Sequence, residues 1–184
     1  MKLKMVICKK MTYLIRLVFV TLLIGSLGSK TSLGELRIDI TQGTIKPMPI
    51  AVTDLVGNSA EERKIGKDIT RIISADLERS GLFNPISKKA FIQKMDVAEA
   101  LPRFGDWRVI NAQAMVHGRA QILSDGRLRV EFRLWDVFAE RQMVGLAYST
   151  KLEAWRRVAH IVADAVYKRV TGESGDFDTR IVYI

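Results

Sequence analysis

Cysteine is almost missing from this 184-residue chain, with Cys8 alone. A single thiol excludes a disulfide within one chain and any thiolate-rich metal centre. Histidine is nearly as scarce. His117 and His160 are the only two, and neither has an acidic or cysteine partner at a metal-ligand spacing. Gly-x-Ser-x-Gly, Walker and dinucleotide-binding patterns do not occur. No run is apolar for the roughly 20 residues that a membrane-spanning helix requires. These absences leave no catalytic, cofactor-binding or metal-ligating residue to expect, and they turn attention to binding.

Basic charge is abundant, at +9 overall, but it is unevenly placed. The stretch 1–34 holds Lys2, Lys4, Lys9, Lys10, Arg16 and Lys30 and no acidic residue. There a basic start, the charge-free run Leu17 to Ile24 and the small residues Gly25 to Gly34 follow the order of a secretory leader. Cleavage between Gly34 and Glu35 is expected, with a cut before Ser29 the alternative. Removal takes Cys8 with it and leaves 23 basic against 20 acidic residues, or +3. Most of the electrostatic argument for nucleic acid goes with the leader. What remains, Glu35 to Ile184, has a length that suits one domain with an ordinary hydrophobic core.

Periodicity then places the elements. Glu35 to Ile40 alternates strictly, with Leu36, Ile38 and Ile40 on one face and Glu35, Arg37 and Asp39 on the other, a half-buried strand pattern. Thr41 to Pro49 is a loop marked by Gly43, Pro47 and Pro49. Pro49 to Asp54 reads as a buried strand. Ser59 and Glu62 form a capping-box pattern ahead of a helix whose apolar face is Ile65, Ile69, Ile72, Ile73 and Leu77, closed by Gly81. Glu61 and Glu62 suit the positive end of that helix. Leu82 to Ile86 is a short apolar piece, and Pro102 forbids a continuous helix through the mixed stretch 87–107. Ala114 to Leu123 and Arg127 to Leu134 alternate about the turn Asp125-Gly126, a hairpin that Met143 to Ser149 extends into a meander. Leu152 to Val170 returns to helical period, with Gly172 as its stop. Gly172 to Asp176 is linker-like, and Thr179 to Ile184 resumes a strand pattern.

Two features invite a binding role. Arg127, Arg129 and Arg133, with Glu131 between them and Arg119 on the neighbouring strand, share one sheet face. Guanidinium forks there could meet an acidic partner or nucleic acid. A solvated face of an antiparallel sheet is the plainer expectation, because stacking aromatics are few: only Trp135 is in phase. His117 falls on that face and is expected to be an ordinary surface histidine. The second feature is the strand Glu35 to Ile40. It can complete its own domain's sheet, dock on a neighbouring domain, or add to an open sheet edge of another protein.

Taken in order, Glu35-Leu36-Arg37-Ile38, the strand Pro49 to Val52, Asp76-Leu77-Glu78-Arg79-Ser80-Gly81-Leu82-Phe83, the segment Trp107 to Gly118, Phe132-Arg133-Leu134-Trp135-Asp136-Val137 and Phe177-Asp178-Thr179-Arg180-Ile181 resemble the TolB family of the Tol-Pal cell-envelope system. The resemblance implies an α/β fold, a mixed β-sheet with two main helices packed on it, followed in the family by a six-bladed propeller. It implies a periplasmic, non-enzymatic adaptor without a cofactor. The partner is the periplasmic domain of TolA, bound through Glu35, Leu36, Arg37, Ile38, Asp39 and Ile40, and less surely through Thr41 to Ile45. That segment is expected to be mobile and free to bind. The lipoprotein Pal would be reached only through a propeller, so the expected organisation is leader 1–34, binding strand and loop 35–48, α/β domain 49–171, and linker with a first propeller strand 172–184. The competing function is a small basic module using its arginine-rich face on RNA or an acidic polymer.

Overall fold

The parallel half of the sheet starts where apolar residues are densest. Met48–Val52 forms β1, with Ile50 and Ala51 fully buried, the near-continuous apolar run of a strand covered on both faces. The computed structural model describes residues 46–179. The leader, the Gly34–Glu35 junction, the strand Glu35 to Ile40 and most of Thr179 to Ile184 lie outside the described residues. The remaining strands are β2 Phe83–Pro85, β3 Ala114–Ile122, β4 Arg127–Asp136 and β5 Arg141–Lys151. They lie in the order β2-β1-β3-β4-β5. β1 runs parallel to β2 and β3, while β3, β4 and β5 form the antiparallel meander that alternation predicts.

Helix α1, Ala60–Arg79, begins at the capping box read from the sequence. Glu62 N–H donates to Ser59 Oγ at 3.0 Å, and Ser59 N–H donates back to Glu62 Oε2 at 3.0 Å. Asn58 N–H reaches the same oxygen at 2.8 Å, and Ile122 N–H, at the end of β3, reaches Oε1 at 2.7 Å. One carboxylate therefore closes a helix start and a strand end together. Burial pushes its acidity the other way, yet these three N–H donors, with Arg63 nearby, hold the Glu62 carboxyl below the usual range.

The face predicted for α1 is the face that packs. Ile65, Ile69, Ile73 and Leu77 are buried, joined by Gly66 and Thr70, whereas Ile72 is only partly covered. Helix α3, Trp155–Thr171, follows a 3-10 turn at Leu152–Ala154 and ends at Gly172, whose φ of 85° is the left-handed cap that glycine adopts without a Cβ penalty. Its Val158, Ala159, Val162, Ala163, Val166 and Val170 complete the aliphatic core against β4 and β5. The two helices are also joined by a polar contact. Asp76, buried on α1, accepts from His160 Nδ1 of α3 at 2.5 Å and pairs with Arg79 at 2.7 Å.

The opposite face of the sheet is solvated only in part: the side chains of Arg119, Arg127 and Arg129 are 38%, 56% and 43% exposed, as expected of such a face, and the rest is covered. Residues 87–112, including a 3-10 turn at Lys88–Ala90 and the short helix α2, Phe104–Val109, fold across it. Trp107 and Met115 are fully buried there, with Ala51, Met95, Ala112, Trp135 and Val137 around them. Phe91 meets Trp107 edge-on at 5.1 Å between ring centroids. The layer is pinned by hydrogen bonds of its side chains: Gln93 Oε1 accepts from the Trp107 indole Nε1 at 3.0 Å and from the main-chain N–H of Arg103 at 2.7 Å. Such bonds have no sequence period, which is why alternation in β3 and β4 gave no sign of this cover.

Candidate interaction surface

His117 is not a surface residue. It is fully buried, with Nδ1 3.0 Å from Thr53 Oγ1 and Nε2 2.9 Å from the carbonyl of Val97. Burial lowers its pKa, opposed in part by the Val97 carbonyl. The neutral ring thus fastens the covering layer to the sheet. The error has a physical cause: the loop over His117 arrives from the region of Val97, well upstream of β3, and is invisible in strand alternation.

The arginine-rich face is solvated, as expected, and paired within itself. Arg119 lies 3.0 Å from Glu131 and 3.1 Å from Glu99, Arg129 is 2.7 Å from Glu131, and Arg127 is 2.7 Å from Asp125. Arg133 donates to the Ala98 carbonyl at 2.7 Å. Hydrogen bonding to Arg119 holds the Glu131 carboxyl below its usual range, and Glu131 in turn raises Arg119. Guanidinium groups satisfied by their own carboxylates and carbonyls are poor anion receptors, because an incoming phosphate must first replace those partners. Trp135, the one aromatic in phase with them, is buried against Phe104 rather than offered to a base.

The open surface lies instead along β5. Among the described residues this strand has a neighbour on one side only, and from Gln142 to Thr150 it has no charged residue. Beside it, between the sheet and α3, is a groove of about 680 Å³ lined by Val144, Leu146, Tyr148, Ile161 and Ala165. Leu146 is 42% exposed at its floor. Lys168 lies at the groove's margin. An edge of this length without lysine, proline or inward charge is a ready template for another strand. The sequence placed Met143 to Ser149 as the third strand of a meander, which is where the structure has β5.

The chain returns past α3 in a fixed way. Phe177 and Asp178 N–H donate to the two carboxylate oxygens of Asp164 at 3.0 and 3.1 Å, Arg157 pairs with Asp178 at 3.1 Å, and Phe177 packs edge-on to Tyr167. Among the described residues, no group of three or more histidine, cysteine or acidic side chains is placed to hold a metal, and no helix is long and apolar enough to cross a membrane.

Residues 36–143 match the family model of the TolB amino-terminal domain. The chain belongs to the TolB family. A curated TolB relative, the Tol-Pal system protein TolB of Paramagnetospirillum magneticum, is 59% identical over 150 residues, which are 82% of this chain and 34% of that protein. The chain thus spans about a third of the length of this TolB relative. The crystal structure of TolB from Acinetobacter baumannii aligns with a TM-score of 0.59 at 25% identity, over 78% of this chain and 33% of that one. The mixed sheet with helices packed on it is the fold of the TolB amino-terminal domain.

Proposed function

We propose that this domain is a non-enzymatic adaptor of the Tol-Pal envelope complex, acting in the periplasm after removal of residues 1–34. It captures the periplasmic domain of TolA through Glu35 to Ile40 and so contributes to outer-membrane integrity and constriction at division. The observation that supports this best is the match to the TolB amino-terminal domain over residues 36–143, which includes most of the alternating segment. A strand with one apolar face and a Gly/Pro tether suits addition to a partner's sheet edge, where main-chain bonds supply affinity and alternate side chains set register. Pal, in this reading, is met only through the propeller of the family.

The test is direct binding of the exported chain to the TolA periplasmic domain by calorimetry, with and without residues 35–40. Loss of binding on deletion, with the far-UV circular dichroism unchanged, is expected. Equal affinity of the two forms removes the segment from the interface. Amino-terminal sequencing of periplasmic protein is expected to begin at Glu35; a retained leader contradicts the periplasmic assignment.

A further inference from the structure

One short run of the covering segment is held to the sheet at three successive residues. The Val97 carbonyl meets His117 Nε2 at 2.9 Å, the Ala98 carbonyl accepts from Arg133 Nη1 at 2.7 Å, and Glu99 Oε1 accepts from Arg119 Nη1 at 3.1 Å. His117 and Arg133 are cross-strand partners in β3 and β4, and Arg119 lies two residues further along β3. Two of the three fastenings are arginines, charged at every pH of interest. The third is a ring that gains charge in acid. Residues 95–99 form no helix or strand that would hold them in place by itself.

The acceptors around the ring fix its hydrogens. A carbonyl only accepts, so Nε2 carries the hydrogen of the neutral ring, and Nδ1 accepts from the Thr53 hydroxyl at 3.0 Å. A second proton turns Nδ1 into a donor. The Thr53 hydroxyl can then donate to the Val116 carbonyl, 3.2 Å away, while its oxygen accepts from Nδ1. Hydrogen bonding thus survives protonation, and what the closed site lacks is a countercharge. The ring is fully buried, and Arg133 stands across from it on β4. Glu99, on the covering run, is bonded to Arg119, and its side chain is 62% exposed, so water screens it. Glu131 of β4 is likewise bonded to Arg119 and Arg129. Burial is the main influence that lowers the ring's pKa, and Arg133 adds to it, while the Val97 and Ala98 carbonyls and Glu99 oppose them in part.

We propose that His117 is an acid-operated catch, whose protonation releases residues 95–99 from the sheet while the rest of the domain stays folded. A buried charge without a partner is relieved by water, and lifting this run is the shortest way to admit water to the ring. The opening stays local because the neighbouring parts have fastenings of their own. Gln93 Oε1 bonds Arg103 N–H and Trp107 Nε1, and the aliphatic core lies on the other face of the sheet. The released run takes the Ala98 carbonyl from Arg133 and Glu99 from Arg119, so donors that are spent in the closed domain become available to water or to an anion. It also widens the crevice of about 190 Å³ that it forms with Val56, Gly57 and Asn58.

Amide hydrogen exchange of the full chain, corrected for the intrinsic pH dependence of exchange, tests the catch. Ala100 N–H donates to the Val97 carbonyl at 3.1 Å and so reports on the run. An opened ring titrates near the ordinary value of about 6.5 and the closed ring below it, so the open population grows as pH falls past that value, until the closed ring protonates as well. A rise of up to about tenfold at Ala100 between pH 7.5 and 5.5 is expected, with exchange in α1 unchanged. His117→Gln keeps a donor for Val97 and does not titrate, so its Ala100 exchange is expected to be the same at both pH values. Arg133→Gln is expected to loosen the run at pH 7.5, through the lost bond to Ala98, and yet to flatten the rise in acid, because the closed ring then takes its proton more readily. A purely structural role for Arg133 would raise the baseline and leave the rise intact, which overturns the electrostatic account. No rise in the parent, or an equal rise in His117→Gln, overturns the catch. A rise that α1 shares is global unfolding and overturns the local opening.

Discussion

The two faces of the sheet are covered by different means. On one side, two long helices press Ile65, Ile69, Ile73, Leu77, Val158, Val162 and Val166 onto the strands, aliphatic residues spaced by helical period. On the other, a segment with one short helix covers a smaller layer centred on Trp107, Met115 and Trp135, with His117, Gln93 and Arg133 bonding its main chain. The first layer is built from regular elements whose apolar stripes need no partner-specific geometry. The second depends on a few large side chains and on a few hydrogen bonds held away from water. Regular cover tolerates substitution by degrees, and irregular cover depends on single residues.

Substitutions can break that comparison. Trp107→Ala removes the largest buried side chain of the irregular layer and one of the two donors to Gln93 Oε1, so a loss of about 3–5 kcal/mol is expected in urea melts. If the lost stability were under about 1 kcal/mol, the layer would be a loose flap and the contrast would be one of order rather than mechanism. Ile69→Ala, in the helical layer, is expected to cost about 2–5 kcal/mol in the same melts, with a single transition for both variants if the layers unfold together. Two separate transitions would divide the layers into independent units.

Acid sharpens the comparison through His117. Its pKa is lowered in the folded chain, so the unfolded chain takes up the proton first as pH falls below the ordinary histidine value of about 6.5. Stability contributed by the neutral ring is complete above that value and declines beneath it, until the folded pKa is also passed. Urea midpoints at pH 7.5 and 5.5 are expected to differ more in the parent than in His117→Gln. Equal slopes would mean that the ring does not hold the covering layer. The smallest effect is reserved for the outer arginines: Arg127→Gln is expected to change stability by no more than about 0.5 kcal/mol, and a larger loss would show that the salt-bridged face bears weight.

The same contrast governs what could be read from the sequence. Ser59 with Glu62, the isoleucine face of α1, the Asp125-Gly126 turn and the closing Gly172 each rest on local geometry that repeats in every chain, and all were legible. The burial of His117 depends on Val97 and Thr53, both far from it along the chain, and no local rule connects them. The arginine face was legible as solvated, but two of its partners, Glu99 and the Ala98 carbonyl, arrive from that same unperiodic loop and were not. For the binding segment Glu35 to Ile40, alternation showed that one face seeks cover and left open where, since edges and grooves exist only once the sheet is assembled.

Glu62 ties these levels together in time as well as in space. Its bonds to Ser59 and Asn58 form as soon as one helical turn does, between near neighbours and without loop closure. Its bond to Ile122 must wait until the end of β3 arrives from 60 residues further along the chain. A helix started by its own cap thus keeps one oxygen in reserve through the slower search for long-range strand pairing. Only a β3 laid in the correct register brings Ile122 N–H to it. The carboxylate thus adds a bond to the native alignment of β3 that its local capping does not supply.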